Sequence, residues 1–574
     1  MNENAPNKGP VVVGVRGLAS LDPLSAAEAK VVAHLQSGDF DRLGDGLRPE
    51  MESPERNVRA ELLRLLVLGK EGYRLHEKGL RLSGAWITGI LDLEGCRVPR
   101  DIGLKDCHFE ASPVLRSAII DNLFLDGSVM PGLRADRLEA RGCVSLQGAT
   151  VNGEVRLPGA RLGGSIEADG VVITSSDGLA VNAEDLEARG GVLLRGATVR
   201  GGINLSSARI GGDVNAVGAR IERPGEVAFN GDAMVAGGDL ALRGVTVAGE
   251  TRFQGAHVGG DADCTSASLS HPEGHALRFN RAKIDGAFFL RQGATIDGAL
   301  DLTATTINAI EDEQASWPRS GDLLLNRCQY GAFTGGPVDA ASRLDWLSRQ
   351  TPGRWGSDFW PQPYEHLATV LSEMGHNEDA REVLIAKERL QRSARRARAK
   401  NPALKLILTI IDGILAVTLS YGRQPLRAML WVILFWLIGT GVFSVAYNAG
   451  AMKPNSPVVL RAVEWTLCDL EQSESRYLPS SGLTLSGRAA PGENQLTCFR
   501  NQPEAASYPE FNPLMYSLDV LLPVLSIGQK DFWRPDSMKP NGPFTLKYYF
   551  FQSIVGWALS LLAVAGFSGL VKSR

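Results

Sequence analysis

The chain has 574 residues, with 60 lysines and arginines against 64 aspartates and glutamates, and charged residues make up 22% of it. This balance excludes a strongly basic nucleic-acid-binding protein and an acidic disordered chain, and seven cysteines are too few for a disulfide-dense secreted scaffold. Long apolar runs are concentrated in residues 403–574. We therefore expect a polar assembly joined to a membrane domain.

The N-terminal segment, residues 1–78, is predicted to form a helical cap. Ser25 and Glu28 have the spacing of a capping box, which predicts a helix over 26–36. A Ser-Pro pair then predicts a second helix over 55–68, which ends at a glycine. The N-terminus has no basic stretch followed by an apolar core, so no signal peptide is indicated and we expect this part to stay in the cytoplasm.

Residues 79–335 repeat themselves and are predicted to form a β-solenoid of the right-handed β-helix type. Small residues recur 11 positions apart, with alternating apolar residues between them, which is the period-two pattern of short strands. A longer period of 48 or 49 residues separates Gly148, Gly196, Gly244 and Gly293. The 48 residues could form two coils of about 24 residues or two unequal coils, and the pattern leaves this open.

Three polar inserts recur in phase with the longer period, starting near Thr174, Glu222 and Ser270. Inserts at a constant phase of a solenoid project from one face. We predict that this face binds a protein partner.

Residues 336–402 are predicted to be a helical connector that resembles one tetratricopeptide-type hairpin, with helices over 364–374 and 379–400. A single unit favours a structural connector over a peptide groove. The second helix ends in a basic run, which is commonly a solvated face but beside a membrane also contacts anionic lipid, at about 1 kcal/mol per charge. The run consists of Arg395, Arg396, Arg398 and Lys400.

Residues 403–574 are predicted to be an α-helical domain with two membrane spans. The runs 428–447 and 549–571 carry no charge, and a helix of about 20 residues crosses roughly 30 Å of hydrocarbon. A third run, 406–421, is shorter, contains Asp412 and has basic flanks, so we predict that it lies in the membrane interface.

The basic residues predict the orientation of the spans. Ten basic and two acidic residues lie between Lys387 and Arg427, whereas residues 448–511 carry seven acids and five bases. The positive-inside rule therefore predicts that both termini are cytoplasmic and that the loop 448–548 is outside.

The seven cysteines divide in the same way. Cys468 and Cys498 are the only pair in the outer loop, and we predict that they form a disulfide, with two unpaired thiols as the alternative. The other five lie in the cytoplasmic part and are predicted to be free thiols.

The outer loop contains a stretch, 513–527, that is apolar but too short to span, which predicts a re-entrant or interfacial helix. A turn and the second span follow, the layout of a two-span pore-loop channel. The candidate loop residues are Asp519, Ser526, Ile527, Gly528, Gln529, Lys530 and Asp531. The stretch departs from a potassium filter, because it has one glycine, Lys530 would repel cations and Pro523 would break the helix. Asp519 is a functional candidate in a re-entrant helix, and in an interfacial helix it would face water.

No motif for catalysis or cofactor binding is found. The sequence lacks the phosphate-binding GxxxxGK[ST] loop, GxGxxG after a strand, CxxC, HExxH and the GxSxG elbow. The glycine pairs near 163, 211 and 259 recur in phase with the solenoid and are predicted to be turns. We expect no catalytic residue, no cofactor and no bound metal.

Several segments resemble a family of bacterial membrane proteins of unassigned mechanism. The resemblance is carried by "PYEHLATVLSEMGHNEDAREVLIAKE", "YSLDVLLPVLSIGQ" and "GWALSLLAVAGFSGL", together with a helical cap and a pentapeptide-repeat-like solenoid. It covers nearly the whole chain and implies a bacterial inner-membrane protein. Such proteins are often catalogued as membrane-associated oxidoreductases, but no redox motif accompanies the resemblance here.

The sequence therefore favours an inner-membrane-anchored cytoplasmic β-solenoid that acts as an interaction scaffold or sensor. The first alternative is an oligomeric channel gated by the solenoid, and the second is a membrane-associated oxidoreductase. The expected partners are membrane lipids, a protein on the solenoid face and further copies of the chain, without nucleic acid.

Overall fold

The computed structural model describes residues 21–70, 73–350, 359–419, 427–478 and 482–567, and the chain divides into two compact units, Met1–Ala394 and Arg395–Arg574. The helices of the first unit are α1 (Ala26–His34), α2 (Ala60–Val67), α3 (Ala340–Ser348), α4 (Gln362–Glu373) and α5 (Asn377–Arg398), the last of which extends past the boundary. The helices of the second unit are α6 (Pro402–Leu419), α7 (Arg427–Asn448), α8 (Pro457–Arg461), α9 (Val463–Thr466), α10 (Gln495–Arg500), α11 (Pro513–Leu521), α12 (Gln529–Phe532) and α13 (Gly542–Phe567).

The first unit is a parallel β-solenoid of about 12 turns. A coil contributes up to four short strands, for example Glu139–Ala140, Val144–Ser145, Thr150–Val151 and Val155–Arg156, and the next coil stacks on it in parallel register. The backbone N–H and C=O groups are paired between coils, which is how a chain with such short strands satisfies them. The solenoid prediction is confirmed.

Two parallel sheets run along the solenoid. The first contains β1 (Asp41–Arg42), β3 (Leu80–Ser83), β5 (Arg97–Val98), β6 (Ile102–Lys105), β8 (Ile119–Ile120), β9 (Leu123–Phe124), β12 (Glu139–Ala140), β13 (Val144–Ser145), β16 (Arg161–Leu162), β17 (Ile166–Glu167), β19 (Glu187–Ala188), β20 (Val192–Leu193), β22 (Arg209–Ile210), β23 (Val214–Asn215), β25 (Val235–Ala236), β26 (Leu240–Ala241), β28 (His257–Val258), β29 (Ala262–Asp263), β31 (Lys283–Leu290), β33 (Thr306–Asp312) and β35 (Gln329–Gly335). The second contains β2 (Asn57–Arg59), β4 (Trp86–Thr88), β7 (His108–Phe109), β10 (Val129–Met130), β11 (Leu133–Arg134), β14 (Thr150–Val151), β15 (Val155–Arg156), β18 (Val172–Asn182), β21 (Thr198–Asn204), β24 (Arg220–Asn230), β27 (Thr246–Arg252), β30 (Ser268–Arg278), β32 (Thr295–Asp301) and β34 (Leu323–Leu324).

The 48-residue period consists of two unequal coils. Glu139 pairs with Arg161, 22 positions along the chain, and Arg161 pairs with Glu187, 26 positions along. The same alternation continues through Arg209 and Val235. The structure thus decides between the two coil divisions that the sequence left open.

The N-terminal cap is only partly as predicted. The capping box of Ser25 and Glu28 is present at the start of α1. The second helix begins at Ala60 instead of residue 55, because Asn57–Arg59 pairs with Trp86–Thr88 as a strand. Strand pairing with the solenoid overrides the local helix signal here, and the β-structure begins before residue 79.

The C-terminal end of the solenoid is closed by helices. Arg343 on α3 is fully buried and donates two hydrogen bonds of 2.8 Å to the Asp312 carboxylate. Its guanidinium also lies 3.5 Å from the ring centre of Phe333. Helix α4 covers β35, where Tyr330 N–H donates to Nε2 of His366 at 2.8 Å. His366 thus satisfies a backbone group of Tyr330 that an open sheet edge would leave unpaired.

The second unit contains one helix, among the residues described, that is long and apolar enough to cross a membrane, Met429–Asn448. It matches the predicted run 428–447. Helix α13 continues to Phe567, so the end of the predicted span 549–571 lies outside the described residues. Helix α6 covers the predicted interfacial run except for residues 420 and 421, which also lie outside them.

A short helix packs between α7 and α13. Helix α11 contacts both, and Ser517 Oγ donates to the Trp436 carbonyl at 2.8 Å. Gln552 on α13 donates to Ser517 Oγ at 2.9 Å. The predicted helix over 513–527 is wrong in its extent, because α11 ends at Leu521 and Pro523 cannot continue it.

Candidate functional site

The three inserts lie in the second sheet on alternate coils. Each insert places four residues opposite a single residue of the next coil, and the strand register resumes on both sides. The inserts are residues 175–178, 223–226 and 271–274, which we call the insert face. Their tips are polar and exposed, as at Glu226 and Glu273.

A glycine lies beneath each insert in the following coil. Gly201, Gly249 and Gly298 have φ values of +123°, +128° and +130°. A Cβ at Gly249 would lie 2.5 Å from the Arg223 carbonyl oxygen, and one at Gly298 would lie 2.3 Å from that of His271. Only glycine fits this backbone conformation and this close approach. Each insert therefore packs directly against the backbone of the following coil.

A second surface feature runs along one column of the first sheet. Its members face outward from six successive coils and pair in register. In axial order they are Ile119, Glu139, Arg161, Glu187, Arg209 and Val235, which we call the charge ladder. Glu187 Oε2 lies 3.5 Å from Arg161 Nε, and Glu187 Oε1 lies 3.8 Å from Arg209 Nη1.

A neighbouring column, two residues further along each strand, alternates arginine with glycine. Arg141 and Arg189 are exposed, and Gly163 and Gly211 lie on the coils that follow them. A Cβ at Gly163 would lie 1.9 Å from the Arg141 carbonyl oxygen. The glycines leave gaps between the arginines, and the two columns together line a groove of about 1210 Å³.

Asp519 organises the loop that follows α11. It is fully buried, and its carboxylate accepts hydrogen bonds from the backbone N–H of Ile527 at 3.0 Å and of Lys530 at 2.9 Å. The Lys530 ammonium lies 3.3 Å from the same carboxylate. Asp519 therefore does not face water, and Lys530 is an ion-pair partner of Asp519 instead of an isolated cation.

The other predicted loop residues follow from this anchor. Gly528 has a φ of +88° and is the N-cap residue before α12, and Gln529 bonds to both Asn512 and Glu510. Ser526, Ile527 and Asp531 are exposed. The loop tip is therefore a surface element held in shape by a buried carboxylate.

The two cysteines of residues 448–548 are joined. Cys468 and Cys498 form a disulfide with a Cα–Cα distance of 5.6 Å. The five other cysteines are free and all lie in the first unit. Burial raises the pKa of the Cys107 and Cys328 thiols to about 12, so these two are unreactive at neutral pH.

The predicted lipid-contacting run is not uniform. Arg396 pairs with the buried carboxylate of Asp412 on α6, so its charge is used within the second unit. Arg395, Arg398 and Lys400 are exposed. Contact of this run with anionic lipid stays a prediction.

Sequence reasoning missed the charge ladder. The alternation of shorter and longer coils decides which charges stack, and a solenoid of equal coils would have placed other side chains together.

Scans of family models, of curated proteins and of solved structures each find no match to this chain.

Proposed function

We propose that the protein is a membrane-attached interaction scaffold whose β-solenoid binds a protein partner on the insert face. The observation that carries the proposal is the position of the three inserts on alternate coils of one sheet, each above a glycine of positive φ. A surface held in one shape loses little conformational entropy on binding.

Attachment to a membrane is supported by the second unit. Met429–Asn448 is long and apolar enough to span, and α13 exposes large apolar side chains such as Phe550, Ile554 and Trp557. A helix of about 26 residues is roughly 39 Å long, enough to cross a bilayer. We include α13 as the second span, with both termini in the cytoplasm of a bacterial cell.

The partner hypothesis is tested by shortening coils. Deleting residues 223–226, and likewise 175–178 and 271–274, brings each longer coil close to the length of the shorter coils that the same solenoid already uses. A photo-crosslinker at Glu226 or Glu273 of the full chain, in native membranes, should join a defined protein. The product should disappear on competition with the unlabelled full chain but not with the deletion variant.

A crosslinker at Arg195 provides the control, because Arg195 is exposed outside the insert face and pairs with Asp169. If Arg195 and Glu226 give the same products, or if the deletion variant competes as well as the intact chain, the insert face is not the binding surface.

A channel is a second candidate, favoured by the anchoring of the loop after α11. A short helix packed between two long ones, followed by a loop that a buried carboxylate holds, is the arrangement of a pore helix and its filter. One chain supplies one loop, so this function requires a closed ring of chains.

The channel is tested by native mass and ion flux of the full chain in lipid. A ring of four or so copies whose flux changes on Gly528→Ala and Lys530→Gln, with Gly482→Ala as the control away from the segment that follows α11, supports it. A monomer or dimer, or flux that is equal in all variants, removes it.

A further inference from the structure

The charge ladder is complementary to its own reversed order. Read along the solenoid axis it is apolar, negative, positive, negative, positive, apolar. Reversal exchanges Ile119 with Val235, Glu139 with Arg209, and Arg161 with Glu187. Each position is thus exchanged with one of opposite charge or with another apolar side chain.

Successive coils are spaced by about 4.8 Å, the distance between neighbouring strands. A two-fold axis parallel to the strands, midway between the coils of Arg161 and Glu187, reverses the coil order and keeps each column facing itself. It places Arg161 opposite Glu187 of the second copy and the reverse, as an isologous interface requires.

The neighbouring column obeys the same operation. Arg141 falls opposite Gly211 of the second copy, and Arg189 falls opposite Gly163. An arginine on one surface thus meets a gap on the other, so the two columns are complementary in shape as well as in charge. An axis along the solenoid would instead place Glu187 opposite Glu187, which is repulsive.

We infer that the charge ladder is a self-association surface, and that its partner is a second copy of this chain packed antiparallel. The ladder side chains have donors and acceptors to spare, because the Arg161 and Arg209 side chains remain 67% and 75% exposed despite their contacts with Glu187. The complementary stretch ends after six coils, since the next positions outward are Arg97 and His257. The insert face lies in the other sheet, so this proposal does not depend on the partner proposed above.

Charge reversal tests the inference with built-in rescue. Arg161→Glu alone places like charges opposite each other at two symmetric positions, and Glu187→Arg alone does the same. Each variant should raise the dissociation constant of the dimer by about a hundredfold, because like charges across an interface are strongly disfavoured. An equimolar mixture should form a heterodimer, since the reversed residue of one chain then faces the complementary residue of the other.

The experiment uses the full chain in detergent, with sedimentation velocity over a concentration series at low and high salt. A dimer that weakens with salt, is lost in each variant and returns in the mixture supports the inference. A chain that is monomeric throughout, a dimer that survives either reversal, or a mixture that stays monomeric overturns it.

Two controls keep the result interpretable. Arg195→Glu reverses an exposed charge outside the ladder and should leave the dimer unchanged. The pair Glu139→Arg and Arg209→Glu repeats the design at the outer positions and serves if the central variants do not fold, as judged by circular dichroism.

Discussion

The two units of this protein differ in how many large apolar side chains they expose. Among the described residues, the solenoid unit exposes five large hydrophobic side chains, whereas the smaller second unit exposes thirty. Both units bury polar side chains, such as Asp312 and Arg343 in the first and Asp519 and Gln552 in the second. The solenoid thus covers nearly all of its large apolar side chains, whereas the helical unit leaves many of them exposed.

The difference also concerns how each unit obtains its shape. In the solenoid each coil hydrogen-bonds to the next in parallel register, so equivalent positions of successive coils have similar backbone surroundings. In the helical unit single contacts, such as that of Ser517 with Trp436, fix single helices. Substitutions should therefore have different consequences in the two units.

The largest expected effect is at the buried ion pair that closes the solenoid. Arg343→Leu leaves the Asp312 carboxylate buried without its partner, which costs about 3–5 kcal/mol. Denaturant unfolding of the full chain in detergent, followed by circular dichroism, should show this loss. Arg381→Leu removes a surface pair with Glu378 and should cost about 1 kcal/mol or less. Equal losses in the two variants would contradict the importance of the buried pair.

The disulfide should come next, and it belongs to the second unit alone. Cys468 and Cys498 are 30 residues apart, and a crosslink over such a loop is worth about 3.5 kcal/mol. The double serine variant should lose this amount in unfolding experiments. Thiol labelling of the unfolded chain from native membranes should find five reactive cysteines before reduction and seven after it. Seven before reduction would show that the loop is in a reducing compartment.

Two glycines of α7 allow a matched comparison. A Cβ at Gly439 would lie 2.4 Å from Ser517 Oγ and 2.5 Å from the Gln552 side chain, whereas one at Gly441 meets no atom within 4 Å. Gly439→Ala should cost about 1–3 kcal/mol through overpacking. Gly441→Ala should be neutral or stabilising by up to about 1 kcal/mol, because alanine favours the helix. Equal melting temperatures for the two variants in detergent would contradict the close packing of α11 between α7 and α13.

The same contrast explains what could be predicted from the sequence. The solenoid repeats, so its existence and its end near residue 335 were readable from period and alternation. The division into unequal coils could not be predicted, because it depends on which coil accommodates each insert between its strands. The charge ladder could not be predicted either, because it depends on that division. The prediction of a helix over 55–68 was wrong at its start, because strand pairing outweighed the local helix signals there.

The sequence marks the candidate loop after the apolar helix but does not show which contacts hold the loop. An acidic residue in an apolar helix marked Asp519, but only the fold shows that its carboxylate binds the backbone of Ile527 and Lys530. The sequence alone does not show that Lys530 is the ion-pair partner of Asp519. Contacts of this kind join residues about ten positions apart and leave no periodic signal.

The smallest expected effect is a dependence of solenoid stability on pH. His366 contacts the edge strand β35, and burial lowers its pKa below the usual value. The unfolded chain therefore takes up a proton first as the pH falls below about 6.5, so the stability contributed by the neutral imidazole is complete above that value and decreases below it. The slope should stay below about 1.4 kcal/mol per pH unit, because the imidazole is only half-buried and solvent screens it. His366→Gln is neutral at every pH and should flatten this part of the dependence. Part of the slope should remain in the variant, because burial also lowers the pKa of His108. Equal slopes between pH 7.5 and 5 would show that the imidazole of His366 is not the group that titrates, because the substitution removes no other ionisable group from the contact between α4 and the last strand.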